Sequence, residues 1–110
     1  MAGDISASQM YELIITHLFL PESINFRGEL EELYYTLTGE YIPSSFSLSK
    51  AIERIYRNDH QEILKKILIT IAEKGKREFK RLQNDYPSLK VDIEKRIQSL
   101  DKFINRIKDC

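Results

Sequence analysis

Apolar positions recur at helical spacing along nearly the whole chain. They divide it into five helical stretches, or six if Gly75 interrupts the fourth. The first covers about residues 6 to 19, with Ser6 or Ser8 as its cap and Met10, Ile14, His17 and Leu18 on one face. Pro21 breaks it. The second covers about residues 24 to 38, where Phe26, Leu30, Leu33 and Leu37 form one stripe and Gly39 stands where a left-handed cap is wanted. Tyr41, Ile42 and Pro43 read as a connector. Ser45 or Ser47 caps a short third helix that ends near residue 57, with Leu48, Ile52 and Ile55 facing inward. Asp59 begins the fourth, with Glu62 three residues on as in a capping box. The last helix follows Pro87, with Ser88 as cap, and Leu89, Ile93, Ile97, Leu100, Ile104 and Ile107 carry its stripe to about residue 108.

The phase of the stripe decides whether Gly75 ends the fourth helix. Leu64, Leu68, Ala72, Gly75, Phe79, Leu82 and Tyr86 follow one another in steps of 4, 4, 3, 4, 3 and 4. Gly75 therefore falls among the core positions of an uninterrupted helix. A glycine there costs about 1 kcal/mol relative to alanine, and it lets a neighbouring backbone approach closely. The fourth and fifth helices then form a long antiparallel hairpin around Pro87. The start of the fourth is apolar almost all round (Ile63, Leu64, Ile67, Leu68, Ile69, Ile71, Ala72), which marks it as the centre of the bundle with the first three helices packed about it. Leu68 and Ile97 are expected to be fully buried.

Composition narrows the class. A chain of 110 residues with 42% apolar and 31% charged residues is globular and of one-domain size (residues 1–110). Four glycines and three prolines are too few for a turn-rich all-β fold. The longest apolar run, "LIITHLFL", contains His17 and is too short to span a membrane. No secretory signal is visible and Cys110 is the only cysteine, so a reducing, cytoplasmic setting is expected, with no membrane partner.

Charge changes the picture more. Seventeen bases balance seventeen acids overall. Residues 1–49 hold seven acids, Asp4 among them, and one base, a net of −6; residues 50–110 hold sixteen bases and ten acids, a net of +6. Such a dipolar surface suits head-to-tail self-association as well as a charged partner. On the fourth helix Lys65, Lys66, Lys74, Lys76, Arg77, Lys80 and Arg81 occupy one half of the circumference, with Glu73 among them, and the core stripe occupies the other. This is either a solvated face or an anion-binding surface, with Lys66, Lys74, Arg77, Lys80 and Arg81 the candidate contacts. The matching acidic and aromatic face is Glu29, Glu31, Glu32, Tyr34 and Tyr35, with Glu40 beyond; one of the adjacent tyrosines must point off the stripe.

No catalytic constellation is visible. His17 lies on an apolar face and reads as a core or rim histidine. His60, in the first turn of a helix, reads as part of a cap. "DHQE" (Asp59 to Glu62) points its side chains in different directions and does not read as a metal site. "TLTGEY" and "EKGKRE" carry one glycine each and match no phosphate-loop fingerprint. No enzyme, cofactor or metal is expected.

The strings "FRGELEELYYTLTGEYIP" and "LSKAIERIYRNDHQEILKKIL" resemble death-fold-type adaptor domains, including the effector-associated domains of bacterial defence proteins. The resemblance spans about residues 10 to 72 and rests on Phe26, Glu29, Leu30, Leu33, Leu37, Ala51 and Ile52. The long final hairpin departs from a compact six-helix death fold. The resemblance implies homotypic protein–protein association through opposite charged faces and no catalysis. The expected protein is thus an all-α bundle that acts as a non-enzymatic interaction module, binding another copy or a partner domain. The alternative is a nucleic-acid-binding bundle, such as an accessory module of a replication or primase protein. In it Lys66, Lys74, Arg77, Lys80 and Arg81 would contact phosphates, and Tyr34, Tyr35 or Tyr41 would stack on bases.

Overall fold

Caps and stripes set the helix boundaries. The computed structural model describes residues 5–110; Asp4, counted among the acids above, lies outside them. Helix α1, Ala7–His17, opens on a reciprocal capping box. Ser6 Oγ accepts from the Gln9 amide at 3.1 Å, and Gln9 Oε1 accepts from the Ser6 amide at 2.9 Å. It stops two residues short of the expected end. Leu18 is already extended, ahead of the proline that bars any continuation. Helix α2, Phe26–Thr38, starts on Asn25 and ends on Gly39, whose φ of 75° provides the left-handed cap. Helix α3, Leu48–Arg57, is capped by Ser47.

The start of the next helix differs from the sequence reading. Helix α4 is Gln61–Asp85, and its N-terminus has no side-chain cap. Asp59 instead closes α3. At φ 61° it lets the His60 amide reach Ile55 O and its own amide reach Tyr56 O, both at 3.0 Å. That is the paired bonding of a Schellman motif, with aspartate where glycine is usual. The capping box expected over Asp59–Glu62 is therefore not formed.

Helix α4 runs through Gly75 without a break. A single 3-10 turn, Pro87–Leu89, then leads directly into α5, Lys90–Asp109. Ser88 lies inside that turn and does not cap α5. The two long helices pair with opposite polarity. Gln83 donates to Lys90 O at 3.1 Å, Lys76 meets Asp101 at 2.6 Å, and Lys65 donates to Cys110 O at 2.7 Å, so the numbers fall in one helix as they rise in the other.

The core lies where these helices meet. Leu64, Leu68 and Ile71 of α4, Ile97, Leu100 and Phe103 of α5, Met10 of α1, Leu30 of α2 and Ile52 of α3 are all buried in one cluster. Phe103 is a core residue that the stripe as read left out. Helix α2 packs on α4, whereas α1 packs chiefly on α3 and more lightly on α5, so α4 is not surrounded by all three early helices. Leu37, Tyr86 and Leu89, expected on core stripes, are exposed. Each lies at a helix end that outruns the body, and every residue from 84 to 92 is exposed at the tip of the hairpin. Among the described residues there is no strand, and no helix is long and apolar enough to cross a membrane.

Candidate interaction surface

The basic half of α4 is largely spoken for within the chain. Lys74 Nζ reaches Glu29 Oε2 at 2.9 Å, which joins α4 to α2. Lys76 is paired with Asp101 of α5, and that hydrogen bond holds its ammonium above the usual lysine value. Arg81 forks between Glu78 and Asp85, each at 3.0 Å, and its hydrogen bond keeps the Glu78 carboxyl below the usual range. Lys65 is held by Glu62 and by the Cys110 carbonyl. Of the five candidate bases, Lys66, Arg77 and Lys80 are exposed and have no partner among the described residues.

The acidic and aromatic set divides in the same way. Glu29 is taken by Lys74. Glu31 is taken by Arg27 at 2.6 Å, and the same guanidinium donates to Phe46 O and Pro43 O, pinning the connector to α2. Tyr34, read as a surface residue, is 1% exposed, because it follows Leu30 by one helical turn and faces the core. Its hydroxyl lies 2.7 Å from His60 Nδ1 and 3.3 Å from Glu40 Oε2, which also accepts from Asn58 Nδ2 at 3.3 Å. One phenol proton cannot serve both acceptors. Either Tyr34 donates to His60, or His60 donates to Tyr34 and Tyr34 to Glu40. Burial pushes the Tyr34 phenol above its ordinary value of 10.0; the Asn58 hydrogen bond opposes this and the Glu40 charge adds to it. His60 is thus a structural hydrogen-bond partner between α2 and the α3–α4 corner.

Glu32 and Tyr35 remain at the surface. Tyr35 stacks on Tyr41 with ring centroids 4.4 Å apart and planes 24° from parallel. Tyr41 is 73% exposed; Leu37, 53% exposed, follows Tyr35 by two residues and so leaves the other side of α2. The stacked pair and the unpartnered carboxylate of Glu32, one helical turn before Tyr35, make an aromatic patch with an acidic edge. Sequence reasoning placed Leu37 in the core; the signal against that was Gly39 two residues on, which ends the helix there.

Two other clusters have less to offer. Phe46 is covered by Lys50 Nζ at 4.5 Å and by the Arg54 guanidinium at 5.0 Å, so cations already occupy its face. Among the described residues no three His, Cys, Asp or Glu side chains come together to hold a metal. Comparison of the chain with protein-family models, with curated proteins and with solved structures returns no match, so a functional reading rests on this geometry.

Proposed function

We propose that the chain is a non-enzymatic protein–protein interaction module that engages another copy or a partner domain through its acidic, aromatic α2 end. The observation that carries this is the exposed Tyr35–Tyr41 stack with the unpaired Glu32 at its edge. Tyrosine is enriched at interface centres, and a contiguous exposed apolar patch marks an interaction site. Glu32 at its edge favours a basic counterpart, and the unpaired Lys66, Arg77 and Lys80 show that the chain itself presents basic surface. The homotypic association implied by the resemblance to death-fold adaptors points the same way.

A second reading, a nucleic-acid-binding bundle, draws on those three bases, which share one side of α4. Against it, Lys74 and Arg81 are neutralised by neighbouring carboxylates, and Tyr34 is buried away from any base. Sedimentation velocity at low and high salt, with and without an oligonucleotide, separates the two. The interaction reading predicts association that depends on protein concentration and is unchanged by the oligonucleotide at physiological salt. A monomer that binds the oligonucleotide tightly would overturn it.

A further inference from the structure

The corner between α1 and α2 overhangs the hairpin and leaves a cleft of about 420 Å³. Leu20 and Pro21 form one wall, and Phe79 and Leu82 of α4 form the floor. The corner lies this close because Gly75 has no side chain: a Cβ there would stand 2.8 Å from Leu20 Cδ2 and 3.7 Å from Pro21 Cδ. Arg96 of α5 stands at the rim, exposed and without a partner among the described residues. Arg81 lies beside it but is engaged by Glu78 and Asp85. Glu22 and Ser23 form the opposite lip. An apolar floor of this size with one available guanidinium suits an aromatic or branched side chain next to a carboxylate.

The chain carries such a group itself, in the stacked Tyr35 and Tyr41 with Glu32 one helical turn before Tyr35. It cannot reach its own cleft. Helix α2 runs against α4, with Glu29 beside Lys74 and Tyr34 beside His60, so the patch lies at the start of α4. The cleft lies beside Arg81, about 30 Å further along that helix. Resting on the interaction reading above, we infer that the cleft between the α1–α2 corner and the hairpin receives the α2 end of a second copy, with Arg96 pairing the incoming Glu32. Two different surfaces then meet, which makes the contact head-to-tail and able to continue beyond a dimer.

Sedimentation velocity over a rising concentration series tests this on the full chain. Wild type is expected to grow past the dimer. A patch variant, Tyr35→Ser with Tyr41→Ser, and a cleft variant, Ser23→Trp with Arg96→Glu, are each expected to remain monomeric alone. Mixed, they are expected to form a one-to-one heterodimer and nothing larger, since one intact patch and one intact cleft remain. All four positions are exposed, so the fold should survive, and circular dichroism of each variant verifies that. Glu22→Gln, which removes a like charge facing the incoming carboxylate, is expected to tighten association about two- to five-fold. The inference is overturned by a wild type that is monomeric or stops at a dimer, or by a mixture that yields no heterodimer. A cleft variant that assembles like wild type while the patch variant does not removes the cleft but leaves the interaction reading standing.

Discussion

Gly75 combines two demands that usually conflict. Its place in the middle of α4 asks for a helix former, and its place under Leu20 asks for no side chain. Alanine there would gain about 1 kcal/mol in helix propensity. Its Cβ would also stand 3.0 Å from Leu100 Cδ1, and Leu100 is fully buried with little room to yield. Overpacking of this kind costs about 1–3 kcal/mol. Gly75→Ala is therefore expected to lower stability by about 1 kcal/mol in urea unfolding; a gain in stability would show that the corner does not press on the helix. At Tyr34 the expectation concerns pH. Because burial raises the phenol's folded value above 10.0, the neutral phenol's stabilisation is complete below that value and is lost as pH rises through the folded one. Thermal unfolding should show alkaline destabilisation that Tyr34→Phe reduces. The same variant should cost about 1 kcal/mol at neutral pH through the lost hydrogen bond to the His60–Glu40 pair.

At the scale of elements, the corner at Asp59 and the centre of α4 make opposite predictions. Asp59 holds a left-handed conformation that glycine adopts without strain. Asp59→Gly is expected to leave stability unchanged or raise it, by up to about 1 kcal/mol, in the same unfolding assay. Leu68→Ala, at a fully buried position, is expected to cost about 2–5 kcal/mol. A loss below about 1 kcal/mol would mean that α4 is not central. Most helices were legible in the sequence because burial of one face imposes a period, and that period carried α4 through Gly75. The corner was not. An aspartate three residues before a glutamate fits an N-cap, yet the carbonyls of α3 needed closing first. The ends of stripes were misread for a related reason. Periodicity continues through Leu37, Tyr86 and Leu89, but the body that would bury them does not.

Across the whole molecule, the charge asymmetry of the sequence is partly consumed by folding. Lys74 and Glu29 lie 45 residues apart in sequence, and nothing local marks them as a pair. Only the tertiary arrangement separates committed charges from free ones, which is why the candidate faces were drawn too broadly. Arg77→Glu with Lys80→Glu changes two unpaired positions and is expected to shift stability by under about 1 kcal/mol. In the proposed function, the free charges and the Tyr35–Tyr41 stack bear on association. The most direct measurement is amide-shift mapping by NMR, with labelled chain titrated first with unlabelled chain and then with an oligonucleotide. The account predicts that added chain moves the amides of residues 35–41 and that the oligonucleotide leaves them in place. Shifts confined to Lys66, Arg77 and Lys80, appearing only when the oligonucleotide is added, would contradict it.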